Sequence, residues 1–172
     1  MKNVTFSQEN DAELVQDFLH EVSDTDRFVT RVDFEHLHIS PPIDCYTITL
    51  DEILKGKTIG NAIRRATRYY LLSQEQAVAE IDVVTHDGSR RVLSLQQDAI
   101  AARGAMRGLN IAADTYPDGQ YEVRLLIVHD VLFIGIWLHG NDDLVIPIEP
   151  AAMKTYEFHS AEALFECLKT RS

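Results

Sequence analysis

The chain of 172 residues is 45% hydrophobic and 25% charged, an ordinary globular composition long enough for one well-buried domain. Its net charge of −11 argues against nucleic acid and anionic membranes as partners and favours cationic ones. The two cysteines, Cys45 and Cys167, stand outside any CxxC or His-spaced cluster, so two buried free thiols are expected in place of a disulfide framework.

Taken in chain order, Val4–Phe6 reads as a short strand. The N-terminal stretch has no apolar run after Lys2, so no signal peptide is expected. Asn10 to Val22 reads as a helix, with Asn10 and Glu13 spaced as a capping box and Leu14, Val15, Phe18, Leu19 and Val22 at helical spacing. Arg27–Ser40 is predicted as a strand with a bulge near Glu35, where the apolar and polar sides exchange, and Pro41-Pro42 ends it. Ile43–Leu50 is strand-like, and Thr49-Leu50-Asp51-Glu52 forms a capping box for a helical turn that Gly56 ends. From about Thr58 to Ser73, an apolar stripe of Ile59, Ala62, Ile63, Ala66 and Tyr70 predicts a second helix. Lys57, Asn61, Arg64, Arg65 and Arg68 make its basic-polar face.

Ala77–Thr85 and Arg90–Leu95 flank His86-Asp87-Gly88-Ser89, whose Asp-Gly is the strongest turn signal in the chain, and predict a hairpin. Ser94 to Gln97 reads as a capping box opening an alanine-rich helix through about Ala113, in which Gly104 and Gly108 admit a close neighbour. Tyr116-Pro117-Asp118-Gly119 turns the chain into three apolar runs, Tyr121–Val128, Val131–Leu138 and Leu144–Ile148. The two-residue spacer His129-Asp130 predicts a hairpin, and the middle run, with no polar side chain on either face, reads as a central strand buried on both sides. Pro147 cannot donate to a ladder and sends the third strand toward an edge. A last helix starts at Ser160 and buries Leu164, Phe165 and Leu168. The longest apolar window, Leu125–Leu138, is interrupted by His129 and Asp130, short of the ~20 residues of a membrane helix. Helices alternate with antiparallel hairpins, so the expected fold is a single α+β domain over 1–172. Its antiparallel sheet contains a 77–95 hairpin and a C-terminal meander at about 121–148, packed against three to four helices. A cytoplasmic location is expected.

Few residues stand in patterns that carry chemistry. His36 and His38, two apart on a strand, point to one side and can reach one metal ion, the basis of a metal-assisted hydrolase, but no third ligand stands at a recognisable spacing. No bound metal or cofactor is therefore expected. His129-Asp130 and His86-Asp87 fall where hairpins turn and are read as turn residues. Phosphate-loop and serine-nucleophile signatures are absent. Arg64, Arg65 and Arg68 offer an alternative anion-binding face for a regulatory module, although acidic segments flank them and ion pairing within the chain is the simpler account.

The charge is uneven. Residues 1–56 carry 12 acids and 4 bases, residues 57–113 carry 5 and 8, and residues 114–172 carry 10 and 4. Asp24, Asp26, Asp33, Glu35, Asp44, Asp142 and Asp143 fall in predicted loops and strands, where they would steer a basic protein partner. In this general character the chain resembles proteins that neutralise basic partners, of which bacterial toxin-immunity proteins are the clearest class. An acidic protein-binding module is the reading carried forward.

Overall fold

The computed structural model describes residues 5–23, 36–97, 99–116, 120–149 and 155–171. In chain order these form α1 (Ala12–Ser23), β1 (Leu37–Ile39), β2 (Ile43–Thr47), α2 (Leu50–Leu54), β3 (Ile63–Ser73), β4 (Gln76–His86), β5 (Ser89–Gln96), α3 (Ala99–Thr115), β6 (Glu122–Val128), β7 (Phe133–His139), β8 (Asp143–Pro147), β9 (His159–Ser160) and α4 (Ala161–Lys169). The nine strands make one sheet in the order β5-β4-β3-β2-β6-β7-β8-β9, with β1 also pairing β3. The ladders are antiparallel except between β2 and β6. The α+β architecture with its 77–95 hairpin and C-terminal meander is as the sequence predicts.

The meander departs from expectation at its turns. Val128 pairs Phe133, so the first loop takes four residues. His129–Val131 form a single 3-10 turn, and Leu132 is left-handed (φ 51°) and 78% exposed. Asp130 accounts for the longer loop: its carboxylate accepts from the Leu50 amide (2.8 Å) at the start of α2, drawing the turn toward that helix. From Gly135 to Leu138 the middle strand is buried on both faces. β8 is not outermost, because β9 pairs Leu144 and Val145, but the ladder stops short of Pro147.

One predicted helix is overturned, and a second begins later than expected. Residues 63–73 form β3, not the greater part of a helix over 58–73, after a 3-10 turn at Ile59–Asn61. A helix with the predicted stripe would leave Leu71 and Leu72 on its polar side, whereas the strand buries Tyr69, Tyr70 and Leu71 to within 3% exposure. Each such side chain contributes ~1.5–3 kcal/mol on burial, against helix propensity differences of tenths of a kcal/mol. Likewise Ser94 and Gln97 open no helix, because β5 runs on to Gln96 opposite Glu80 and α3 begins at Ala99.

Other signals hold. Thr49 and Glu52 make a reciprocal capping box, and Ser160 caps α4 by accepting from the Ala163 amide. Asp87 (φ 49°) and Gly88 (φ 77°) take the left-handed conformations of the predicted hairpin turn. α1 starts at Ala12, with Asp11 in the cap position, its carbonyl accepting from the Val15 amide. A Cβ on Gly104 would lie 2.8 Å from the Glu149 carbonyl oxygen, and one on Gly108 would lie 2.8 Å from Ile148; both glycines let α3 sit directly on the meander. The predicted strand over Arg27–Ser40 falls largely, and the turn at Pro117–Gly119 wholly, outside the described residues.

The sheet is covered on both faces. α3 lies on one, over Tyr70, Leu125, Ile136 and Leu138. On the other, α1 covers the half containing Tyr69, Leu71, Ile81 and Val83, while α2 and α4 cover Leu126, Phe133, Trp137 and Val145. The strip between these two helical groups positions the candidate site.

Candidate functional site

One row of paired residues crosses the whole sheet: Val92, Val83, Thr67, Asp44, Arg124, Trp137, Val145 and His159. Paired residues share a face, so this row runs from the α1 cluster to the α4 cluster. Val92 and Val83 on one side of it and Trp137 and Val145 on the other are apolar, and its centre, Thr67–Asp44–Arg124, is polar.

On the α1 side, the polar centre is tied down. Asp11 receives two bonds from Arg90 (3.0 and 2.7 Å) and one from the Tyr69 hydroxyl (2.9 Å). Arg90 also donates to Thr67 (2.9 Å), whose hydroxyl donates to buried Asp44 (2.8 Å). Arg64 reaches Glu9 (3.2 Å) and Asp44 (3.5 Å). The Arg90 hydrogen bonds outweigh the opposing effect of burial and, with Tyr69, hold the Asp11 carboxyl below its usual range. With its carboxylates matched by arginines and hydroxyls, this network anchors the start of α1 to the sheet.

On the meander side lies an aromatic corner. Trp137 and Tyr46 meet edge to face, centroids 5.1 Å apart and planes at 76°. Trp137 meets His139 similarly at 5.5 Å and 75°. Asp143 Oδ1 accepts from Trp137 Nε1 and bonds His139 Nδ1, each at 2.8 Å, fixing both rings. The Arg124 guanidinium lies 4.6 Å from the Tyr46 centroid and 4.8 Å from that of Trp137, with Nε donating to Glu122 at 3.1 Å. Burial raises the Tyr46 phenol above its ordinary range, the nearby cations Arg124 and Arg64 opposing that rise.

Beside this corner opens a cleft of about 930 Å³ between the β7–β8 turn, the loop after α2, and α4. Ile59, Ala161 and Phe165 contribute apolar surface, and Asp142, Asp143, Glu162 and Glu166 bring carboxylates, with Lys57 and Lys169 as cations. Lys169 is bonded to Glu166 at 2.7 Å, and Asp142 accepts from the Tyr121 hydroxyl at 2.6 Å. That hydrogen bond, with burial, pushes the Tyr121 phenol up to about 12.

The structure redistributes the residues singled out in the sequence. Asp24, Asp26, Asp33 and Glu35 lie outside the described residues. Asp44 is not a surface carboxylate: it is 5% exposed and bound to Thr67 and Arg64. Asp142 and Asp143 do share the cleft, though Asp143 also braces Trp137 and His139. Arg64, Arg65 and Arg68 share no face, because a strand with a bulge opposite Cys45 and Tyr46 splits them. Arg64 turns to Glu9, Arg65 to Thr47 (3.3 Å), and Arg68 inward to Asp82 (2.8 Å) and Glu80 (3.5 Å). Burial disfavours the Arg68 cation, but the Asp82 hydrogen bonds more than restore it and raise its pKa. His36 and His38 line a hollow with Ser73, Gln74 and Glu75, and His38 shares a second with His20. Among the described residues no three His, Cys, Asp or Glu side chains group as metal ligands. Cys45 is buried and its thiol is pushed up to about 12 by desolvation, whereas Cys167 is exposed, contrary to expectation. It stands off the α4 stripe of Leu164, Phe165 and Leu168.

Sequence reasoning missed Arg124, Tyr46, Trp137, His139, Glu162 and Glu166. The alternation Trp137-x-His139, with Asp143 across a three-residue loop, was a readable signal once the hairpin register was assumed. The contact of Arg124 with Tyr46 was not, since β2 and β6 lie far apart in the chain. No protein-family model, curated protein or solved structure matches the chain.

Proposed function

We propose that the protein is a binding module for a basic protein partner, such as a toxin that it neutralises, and that the partner docks at the cleft beside the β7–β8 turn. The observation that carries this reading is the gathering of Asp142, Asp143, Glu162 and Glu166 around an apolar floor in a chain of net charge −11. Carboxylates around apolar surface suit a lysine or arginine side chain, whose stem lies on the floor while its charged head meets the rim.

The test is capture of a basic protein from the native cell, followed by titration with the purified pair. The double variant Glu162→Gln/Glu166→Gln removes two exposed helical carboxylates and is expected to keep the fold and weaken binding at least tenfold. Equal affinity for variant and native protein sinks the reading. So does recovery of no protein together with turnover of a small molecule by the purified chain.

A further inference from the structure

Arg124, Tyr46 and Trp137 make a cation site that the chain occupies itself. Two rings stand near right angles (76°), and a guanidinium carbon lies within 4.8 Å of both centroids. A carboxylate, Glu122, takes the guanidinium Nε at 3.1 Å. This is the arrangement by which aromatic cages hold organic cations: two negative π faces and one anion. The walls are preorganised, because Asp143 binds the Trp137 indole and the His139 imidazole through one oxygen. The site lies on the same face of the sheet as the acidic cleft, and Asp143 belongs to both.

We propose that this corner is a guanidinium-binding cage, filled in the free protein by Arg124, and that an arginine side chain from a partner takes its place on binding. The class of ligand follows from the occupant, since a guanidinium already fits between these rings. The Arg124 side chain is 16% exposed and Tyr46 half-buried, while the Trp137 wall is buried at 2% exposure. Being tethered, Arg124 holds the site at an effective concentration of ~mM or more; a free guanidinium therefore competes poorly, whereas a partner anchored at the cleft competes well. Only the identity of the competitor as a partner's arginine rests on the basic-partner reading; the cage itself stands on its geometry.

The probe is N-methylguanidinium chloride, titrated at constant ionic strength while following emission from Trp137, the single tryptophan of the chain. Native protein is expected to respond weakly. Arg124→Ala empties the cage and is expected to bind the probe at least tenfold more tightly, with saturable quenching. Adding Tyr46→Leu to that variant removes one wall and is expected to abolish the gain, which a purely structural role for Tyr46 would not do. If Arg124→Ala does not fold, Arg124→Gln replaces it, keeping polar bulk without the charge. No saturable response in a folded variant overturns the proposal, and so does equal binding by native protein. Because the assay uses no partner, its outcome is independent of partner capture.

Discussion

Asp11 and Asp143 each serve two side chains from one carboxylate, and in both cases the consequence is positional. Asp11 joins Arg90 and Tyr69 and so holds the start of α1 against the sheet. The pull of Arg90 prevails over burial, assisted by Tyr69, and depresses the Asp11 pKa. Ionised Asp11 therefore stabilises the fold fully above its unfolded value of about 4, and the contribution is lost as pH falls through the lower folded value. Asp11→Asn is expected to cost about 1.5–3 kcal/mol at pH 7, the range for hydrogen bonds to charged groups. Its thermal midpoint should also fall less than the native one between about pH 5 and pH 2. Parallel curves for the two proteins would remove Asp11 from the acid response. Gly108 makes a second point at this scale. A methyl group there would lie 2.8 Å from Ile148 and 2.9 Å from Ile136, both fully buried. Gly108→Ala should therefore destabilise by about 1–3 kcal/mol through overpacking, despite the roughly 1 kcal/mol that alanine gains over glycine in a helix. Denaturant unfolding that shows a stabilised variant would contradict the close approach of α3.

Among the elements, β7 carries the meander. It pairs β6 along its whole length and β8 over most of it, and its Ile136 and Leu138 pack under α3 while Phe133 and Trp137 pack under α2 and α4. The phase of this strand is testable because the turn before it differs from the simplest reading. Ile136→Ala should cost ~2–5 kcal/mol. Leu132→Ser, at an exposed turn position, should stay within about 0.5 kcal/mol. Equal losses in chemical denaturation would mean that the hairpin is displaced by a residue. β3 makes the complementary point: its burial under α3 on one face and α1 on the other outweighs a helical spacing of apolar residues that has no tertiary counterpart.

Across the whole molecule, charge and topology act together. The parallel contact of β2 with β6 joins the N-terminal hairpins to the meander, bringing Asp44 and Arg124 side by side across 80 residues of chain. Many acids are spent internally, Asp11, Asp44 and Asp82 among them, but at the cleft Asp142, Glu162 and Glu166 are exposed. If the cleft receives a basic partner, association should slow as salt rises past ~0.15 M, where the Debye length is ~8 Å, while dissociation changes less. Stopped-flow mixing over a salt series measures both rates. A dissociation rate that carries the salt dependence would point to a buried ion pair in place of long-range steering.

Local chemistry was legible from the sequence alone. Asp87-Gly88 turns a hairpin because its backbone needs positive φ, Thr49 and Glu52 cap α2 because their side chains reach adjacent amides, and the apolar run around Ile136 is central because it has no face for water. What depends on partners distant in the chain was decided only by tertiary structure. Residues 63–73 are a strand because β2 and β4 pair both its edges while α3 and α1 cover Tyr70 on one face and Tyr69 and Leu71 on the other, and the three arginines there diverge because a bulge changes the register. The aromatic corner exists because a parallel pairing sets β2 beside β6. Tyr46, Arg124 and Trp137 lie on three strands, and no spacing within any one strand encodes which residue stands opposite in the next.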